Sequence, residues 1–255
     1  MVDTHCHLYS EEFKSDIDEV MQKARNAGVE RFYLPAIDND TYLEMMNMET
    51  LFPGECFAMM GLHPCSVKED YKTQLSLVEY WLSQRHFIAI GETGLDFHWD
   101  KTFVKEQYHA LERQVEWAFH YDLPIVLHTR DAMKETINVI KAHAAKGLKG
   151  IFHCFGGTLD EARQIIETGF LLGIGGVVTY KKAGLDAVLN EIELKHLLLE
   201  TDAPYLSPVP YRGKRNESSY LKLIAERIAE IKGISPAEVN RITTENAYRV
   251  FKIQI

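Results

Sequence analysis

The stretch Asp3-Thr4-His5-Cys6-His7-Leu8 opens the chain and is typical of a short strand with almost nothing before it. Alternate side chains of a strand share a face, so we expect His5 and His7 to point the same way and Cys6 and Leu8 to enter the opposite packing layer. Two imidazoles held side by side on rigid backbone form part of a metal site. If no further ligands exist, the pair is two ordinary strand histidines.

The remaining chain repeats a buried apolar run followed by a helical pattern. The predicted strands cover residues 1–8, 31–37, 56–62, 87–90, 125–127, 150–152, 170–174 and 196–199. The predicted helices cover about 10–27, 40–51, 70–84, 105–120, 132–145, 158–169, 185–192 and 220–231, with a last one from residue 236. Buried, non-alternating strands that each precede a helix are typical of a parallel sheet. We therefore predict an α/β fold, a (β/α)₈ TIM-type barrel, with residues 1–255 forming a single domain.

Composition excludes several classes of protein. A hydrophobic content of 46% supports a large core, and a net charge of −9 argues against a broad basic surface that coats nucleic acid. The four cysteines include no C-x-x-C pair, which fits a reducing cytoplasm. No signal peptide or membrane-spanning run is visible. The glycines in 91–94 and 173–176 lack the lysine of a phosphate-binding loop, so we interpret them as strand-end turns and expect no nucleotide cofactor.

Metal-capable side chains recur where predicted strands end. They are His5, His7, His63, Glu92, His128, His153 and Asp202. The carboxyl ends of barrel strands share one face, and active sites lie on that face. Residues scattered along the sequence are therefore expected to converge into one site.

This set of ligands exceeds the four that one tetrahedral zinc uses, so we predict two divalent metals bridged by a carboxylate. We assign His5, His7 and Asp202 to one ion. We assign His128 and His153 to the other, with Glu92 between the two. Mixed imidazole and carboxylate ligands suit Zn²⁺ or Mn²⁺, whereas Mg²⁺ normally takes more oxygen ligands.

A metal pair of this kind lowers the pKa of a shared water and holds the two oxygens of an in-line displacement at phosphorus. We expect Asp202 to accept the proton of the attacking water. We expect His63 to contact a substrate phosphate or the leaving oxygen. The alternative for His63 is a histidine that orients a metal ligand.

Taken together, the motifs resemble those of the TatD-type deoxyribonucleases, metal-dependent phosphodiester hydrolases of the amidohydrolase-like barrel superfamily. The resemblance rests on Asp3-Thr4-His5-Cys6-His7, Gly61-Leu62-His63-Pro64, Gly91-Glu92-Thr93-Gly94-Leu95-Asp96, His128-Thr129-Arg130-Asp131, Phe152-His153-Cys154-Phe155, Glu200-Thr201-Asp202-Ala203-Pro204-Tyr205-Leu206, Arg212-Gly213-Lys214-Arg215-Asn216-Glu217 and Asn246-Ala247-Tyr248-Arg249-Val250-Phe251. It extends over essentially the whole chain.

The resemblance implies a cytoplasmic deoxyribonuclease, often described as a 3′ to 5′ exonuclease that favours single strands, with DNA as substrate and the metal ligands named above. The chain departs from the family pattern at Cys65 and Tyr211, where histidine is common, and at Ser218, where proline is common. These departures concern substrate contacts and no proposed metal ligand.

The segment of residues 212–215, which we call the basic loop, closely follows Asp202. We expect its cations Arg212, Lys214 and Arg215 to contact phosphate, and the alternative is a solvated surface loop. Tyr205 or Tyr211 is expected to stack on a terminal base, unless it serves only in packing.

Two other functions compete with the nuclease. An amidohydrolase-type enzyme would use the same site on a small-molecule amide, lactone or phosphoester, but no lysine follows the fourth or fifth predicted strand to act as a carbamylated bridge. A non-catalytic metal-binding or nucleic-acid-binding barrel would have a damaged ligand set. We expect a monomer or a small homo-oligomer without membrane association.

Overall fold

The structure, a computed structural model, describes residues 1–252. The strands are β1 (Val2–Asp3), β2 (Arg31–Leu34), β3 (Cys56–Ala58), β4 (Ile90–Asp96), β5 (Ile125–Arg130), β6 (Gly150–Phe152), β7 (Leu171–Ile174) and β8 (Leu197–Leu199). The helices are α1 (Ile17–Asn26), α2 (Tyr42–Leu51), α3 (Tyr71–Gln84), α4 (Val104–His120), α5 (Met133–Ala144), α6 (Leu159–Glu167), α7 (Leu185–Glu191), α8 (Leu221–Lys232) and α9 (Pro236–Val250). The predicted alternation of strand and helix is confirmed. None of these helices has the length and apolar character needed to cross a membrane.

All strand pairs are parallel, and the strands follow chain order in two sheets, β1-β2-β3 and β4-β5-β6-β7-β8. Backbone hydrogen bonds join the sheets at both seams. Ile88 N–H donates to the Ala58 carbonyl at 3.0 Å, and Thr4 N–H donates to the Leu199 carbonyl at 3.1 Å. The architecture is the predicted (β/α)₈ barrel, with a ladder that is interrupted at these seams rather than continuously closed.

The apolar core has two layers, as the alternation of strand side chains requires. The outer layer lies between strands and helices and includes Cys6 and Leu8, as expected from the first stretch. The inner layer fills the barrel with one residue from most strands, and it is covered by Val250 of α9 and by Phe251, which follows α9. The side-chain amide of Asn246 on α9 donates to the Leu197 carbonyl at 2.8 Å, where β8 begins. Helix α9 therefore closes the barrel end opposite the carboxyl ends of the strands.

The N-terminal elements are shorter than predicted. Strand β1 ends at Asp3, because the next amides bond alternately to two neighbours: Thr4 to β8 and Cys6 to the Tyr33 carbonyl of β2 at 3.1 Å. The predicted helix 10–27 is wrong in its first part, where residues 11–13 form a short 3₁₀ turn and α1 begins at Ile17. The turn carries Phe13 into the core.

The predicted position of strand β4 is wrong: the apolar run 87–90 predicts that it ends at residue 90, whereas it begins at Ile90 and continues to Asp96. Strand β5 likewise extends through His128 to Arg130. The glycines expected to form turns at 91–94 instead lie within β4. At Gly94 a Cβ atom would lie 1.9 Å from the His128 carbonyl oxygen, so glycine permits the close approach of β4 to β5.

Two helices begin with side-chain caps. Thr158 and Glu161 form a capping box at the start of α6. The Ser235 side chain accepts the Glu238 N–H at 3.2 Å and caps α9. Such caps depend on residues within one turn, which explains why sequence alone locates them.

Candidate metal centre

Glu92 lies at the centre of the barrel mouth and is only 2% exposed. The register of β4 against β5 shifts between Ile90 and Thr93, and an irregularity of this kind re-aims the side chain it carries. The Glu92 N–H donates to the Ala36 carbonyl at 3.1 Å, which fixes the backbone. The carboxylate is thereby directed among the histidines of the neighbouring strand ends. We call Glu92 and these neighbours the central cluster, which comprises His5, His7, His63, Glu92, His128, His153 and Asp202.

The two oxygens of Glu92 face different pairs of histidines. Oε2 lies 3.1 Å from His5 Nε2 and 3.8 Å from His7 Nε2. Oε1 lies 3.0 Å from His128 Nδ1 and 3.1 Å from His153 Nε2. Oε2 thus faces one histidine pair, and Oε1 faces the other pair together with His63 Nε2 at 3.4 Å. A carboxylate whose two oxygens face different histidines can be shared between two ions.

Asp202 occupies the edge of the cluster on the His5 and His7 side. Its Oδ1 lies 3.5 Å from His7 Nε2 and 3.8 Å from His5 Nε2. Its N–H donates to the His5 carbonyl at 2.9 Å, and its φ of 57° lies in the left-handed region. Backbone strain of this kind is retained where surrounding contacts hold it, and it often accompanies functional sites.

The charges of the cluster suit cations. Burial opposes ionisation of Glu92, but the adjacent His153, His5 and His63 hold its pKa well below the usual range of a glutamate. Burial also opposes ionisation of Asp202, and the hydrogen bond with His7 together with the nearby histidines lowers its pKa. Both side chains are therefore carboxylates at neutral pH, which makes them oxygen donors for divalent ions.

His5 provides a direct test of whether the cluster fits a metal. Its ring is fully buried, and its Nε2 makes no hydrogen bond within the described chain although it lies close to Glu92. Buried polar atoms are almost always satisfied, so an unpaired nitrogen beside carboxylates fits the role of a metal ligand. Three groups of donor atoms, each within 4.8 Å of one another, could hold an ion: His5-His7-Glu92, His5-His153-Asp202 and His63-Glu92-His128. The residues fit divalent metals with mixed nitrogen and oxygen ligands.

The tautomer of His7 follows from its neighbours. The Tyr9 hydroxyl donates its only proton to the Pro35 carbonyl at 2.6 Å. The hydroxyl oxygen, 2.8 Å from His7 Nδ1, must therefore accept a proton from that nitrogen. The Nε2 lone pair of His7 consequently points into the cluster, ready to bind a metal.

His63 has the opposite tautomer. Its Nδ1 accepts the Cys65 N–H at 3.1 Å, so in the neutral ring the proton is on Nε2. That Nε2 lies 3.4 Å from Glu92 Oε1. Burial lowers the pKa of His63, which favours the neutral ring. His63 thus presents a hydrogen-bond donor where His7 presents a lone pair, and this supports the expected contact of His63 with substrate oxygen rather than with a metal.

Two carboxylates outside the predicted ligand set lie beside histidines of the central cluster. Asp96 Oδ2 lies 2.8 Å from His128 Nε2, which leaves His128 Nδ1 to face Glu92. Glu200 Oε1 lies 3.2 Å from His153 Nδ1, but that nitrogen makes no hydrogen bond within the described chain, so only Asp96 holds its histidine by a hydrogen bond. Both residues are buried. Carboxylates that bond the second nitrogen of a ligating histidine orient its ring. Their place inside the motifs Gly91–Asp96 and Glu200–Leu206 was the signal available in the sequence.

The basic loop contains two exposed cations and one that is paired with an acidic side chain. Arg212 and Lys214 are exposed, and the Arg212 guanidinium lies 4.5 Å from the centroid of the Tyr180 ring. Arg215 instead forms a bidentate pair with Asp16, with Nη1–Oδ1 at 2.9 Å and Nη2–Oδ2 at 2.6 Å. Arg215 thus ties the loop to the segment before α1, and a phosphate contact by Arg215 would require this pair to open.

The two candidate tyrosines also differ. Tyr205 is 50% exposed, and its ring centroid lies 6.0 Å from that of His7. Tyr211 stacks on Tyr220 with centroids 4.2 Å apart and planes 3° from parallel. Of the two, Tyr205 has the free ring surface beside the central cluster.

Several known proteins are similar to this chain in sequence or structure. A protein of Bacillus subtilis named "Uncharacterized metal-dependent hydrolase YabD" is 39% identical over 254 residues, which is 99% of this chain and 99% of that protein. The "3'-5' ssDNA/RNA exonuclease TatD" of Pectobacterium carotovorum is 32% identical over 259 residues, 99% of this chain and 100% of that protein. The crystal structure of YJJV, a TatD homolog from Escherichia coli, has a TM-score of 0.93 at 27% identity and covers 100% of this chain and 98% of that one.

The fold, the site and these relatives define a metal-dependent hydrolase built on a (β/α)₈ barrel. Within that class, the chain belongs to the TatD-related DNase family, because the family model described as "TatD related DNase" matches residues 2–252. The resemblance drawn from the motifs is confirmed.

Proposed function

We propose that the protein is a deoxyribonuclease that uses two divalent metal ions to remove nucleotides from the 3′ end of single-stranded DNA. His5, His7 and Asp202 would hold one ion, and His128 and His153 the other. Glu92 would bridge the two. The division of the Glu92 oxygens between two histidine pairs, at 3.1 Å to His5 and 3.0 Å to His128, is the observation that carries this proposal.

A bound metal pair would acidify a water and neutralise charge on a phosphodiester. The chain's own residues complete the reaction. Asp202, a carboxylate at the cluster edge, accepts the proton of the attacking water. His63 donates its Nε2 proton in a hydrogen bond to a phosphate or leaving oxygen. Hydrogen bonds aimed at developing negative charge are among the larger contributions to catalysis.

Arg212 and Lys214 support a nucleic-acid substrate, because both are exposed on the loop that follows Asp202 in the chain. The chain as a whole carries a net charge of −9, so local cations are needed to attract a polyanion. Tyr205 offers its half-exposed ring to a terminal base. We also propose that the enzyme acts in the cytoplasm, since all four cysteines have free thiols.

The test is hydrolysis of a 5′-labelled single-stranded oligonucleotide by chelator-treated protein, with Mg²⁺, Mn²⁺ or Zn²⁺ added back. A ladder that shortens from the 3′ end, requires metal and disappears in Glu92→Gln supports the proposal. The matched control is Glu79→Gln, which removes an exposed carboxylate paired with Arg113 on the outer helices and leaves activity unchanged.

Folded protein that binds two ions yet cleaves no oligonucleotide with any of these metals would contradict the nuclease proposal. In that case the site would serve a small-molecule amide, lactone or phosphoester. Hydrolysis of 4-nitrophenyl esters or phosphodiesters by a preparation that leaves the oligonucleotide intact would support the small-molecule function.

A further inference from the structure

Trp99 is the most exposed large apolar side chain of the described residues, at 69%. It follows the end of β4 by a few residues and therefore lies on the face of the barrel that carries the central cluster. Neither the metal centre nor the core uses its indole. An exposed aromatic ring beside a concave polar site offers a large contact area for a ligand.

Asp96 fixes the backbone that presents this indole. Its Oδ1 accepts the N–H groups of His98 at 2.9 Å and of Trp99 at 3.2 Å. Its Oδ2 lies 2.8 Å from His128 Nε2. One buried carboxylate thus joins the Trp99 turn to a histidine that faces Glu92. The position of Trp99 relative to the cluster is therefore set by hydrogen bonds rather than by a free loop.

A cation accompanies the ring. The Arg130 guanidinium lies 5.1 Å from the centroid of the Trp99 ring, and Arg130 itself ends β5 and is exposed. The His98 ring meets the indole edge-on at 5.0 Å, and His98 Nδ1 lies 2.9 Å from Asp131 Oδ2. The His98 ring therefore contacts the indole, and Arg130 places a positive charge next to it.

We propose that Trp99 and Arg130 form a second contact for single-stranded nucleic acid, in which a nucleobase stacks on the indole and the guanidinium binds an adjacent phosphate. This inference rests on the proposed nuclease function and extends its substrate site. Base stacking on an aromatic ring tolerates any sequence, since every base has a π face. Arginine binds phosphate through parallel hydrogen bonds.

The topology places this contact opposite the basic loop. Trp99 follows β4 and Tyr205 follows β8, and these are the two outer strands of the five-stranded sheet β4-β5-β6-β7-β8. The two aromatic side chains therefore flank the central cluster from different sides. A strand end held near Tyr205 and Arg212 would cross the metal centre and reach Trp99 with a nucleotide beyond the scissile linkage.

The experiment compares metal-loaded wild type, Trp99→Ala, Trp99→Phe and Arg130→Ala on a single-stranded oligonucleotide and on bis(4-nitrophenyl) phosphate, which has no base. For Trp99→Ala we expect KM for the oligonucleotide to rise roughly 5- to 30-fold. Its kcat and the KM for the small diester should change much less. Trp99→Phe should recover most of the affinity. The matched control is Tyr80→Ala, which removes an aromatic side chain 53% exposed on α3 and should leave both KM values unchanged.

Equal KM changes on the two substrates, or a Trp99→Ala variant that behaves like Tyr80→Ala, would overturn the inference. Anisotropy of the labelled oligonucleotide with Glu92→Gln protein measures binding without cleavage. Trp99-dependent binding by a wild type that cleaves no oligonucleotide would overturn the proposed nuclease function and support the contact. If the oligonucleotide is cleaved but neither its KM nor its binding depends on Trp99, the nuclease function is supported and the Trp99 contact is overturned.

Discussion

The central cluster and the basic loop both follow strand ends, but their side chains are held differently. In the cluster, two histidine orientations depend on a buried partner: Tyr9 fixes His7, and Asp96 fixes His128. In the loop, Arg212 is exposed to solvent whereas nearby Arg215 is paired. In the cluster, the hydrogen-bond partner of a histidine determines which ring nitrogen carries the proton. In the loop, a cation can bind substrate only if it is not already paired with an acidic side chain.

We expect the largest effects from substitutions of His7 and His63, which test the tautomers assigned to these two histidines. His7→Ala removes a lone pair aimed at the metal centre, so we expect less bound metal after dialysis and loss of nearly all hydrolysis. His63→Ala removes only a donor, so we expect full metal content with kcat reduced roughly 10²- to 10³-fold. Metal analysis by mass spectrometry, together with kcat, checks both variants.

Thermal unfolding of the chelator-treated proteins serves as the control, since both variants should retain the barrel. If His63→Ala also lost metal while His7→Ala kept it, the assignment of tautomers would be reversed. His143→Ala is a matched histidine variant away from the site, because His143 lies on α5 and pairs with Glu112. It should leave metal content and kcat unchanged.

A smaller effect is expected at Asp96, which contacts His128 rather than an ion. Asp96→Asn keeps the shape but replaces the carboxylate that bonds His128 Nε2. Loss of such a partner typically weakens metal affinity about 10- to 100-fold. Titration of chelator-treated protein with Mn²⁺ or Zn²⁺ measures this change. Unaltered metal affinity would mean that His128 is oriented by packing alone.

We expect the two arginines of the basic loop to affect different quantities, KM for Arg212 and the free energy of unfolding for Arg215. Arg212→Ala should raise KM for an oligonucleotide without changing the free energy of unfolding. Arg215→Ala should lower the free energy of unfolding by roughly 0.5–1 kcal/mol, because it removes a partly exposed bidentate pair. Denaturant titration and steady-state kinetics on both variants provide the comparison. A large KM effect confined to Arg215 would restore it as the phosphate contact.

Sequence reasoning located the class of fold and the family well, for physical reasons visible in particular residues. Runs such as 150–152 and 196–199 are apolar on both faces and must be buried, which indicates parallel strands. It failed at β4, where Gly91, Thr93 and Gly94 resemble a turn. Those glycines are instead required by the contact of β4 with β5, a non-local cause that a single chain segment does not reveal.

The same limit applies to the candidate site. His5, Glu92 and Asp202 could be predicted as metal ligands, because that prediction needs only the residue type and its place at the end of a strand. The partner of Arg215 could not, since Asp16 lies far away in sequence and the two meet only in the folded chain. Trp99 was overlooked for a similar reason, because its exposure and its contact with Arg130 depend on how two strands end side by side.

The smallest expected effect is the pH dependence of the Arg215–Asp16 pair. The hydrogen bond from Arg215 lowers the pKa of the Asp16 carboxyl. A folded-state pKa below the unfolded value of about 4 means that the ion pair stabilises fully above that value and is lost as pH falls through the folded-state pKa. The difference in unfolding free energy between wild type and Arg215→Ala should therefore shrink as pH falls from about 7 to about 3. A difference that persisted in acid would instead reflect the packing of Arg215 over the Phe13 ring, 4.8 Å from its centroid, which does not titrate.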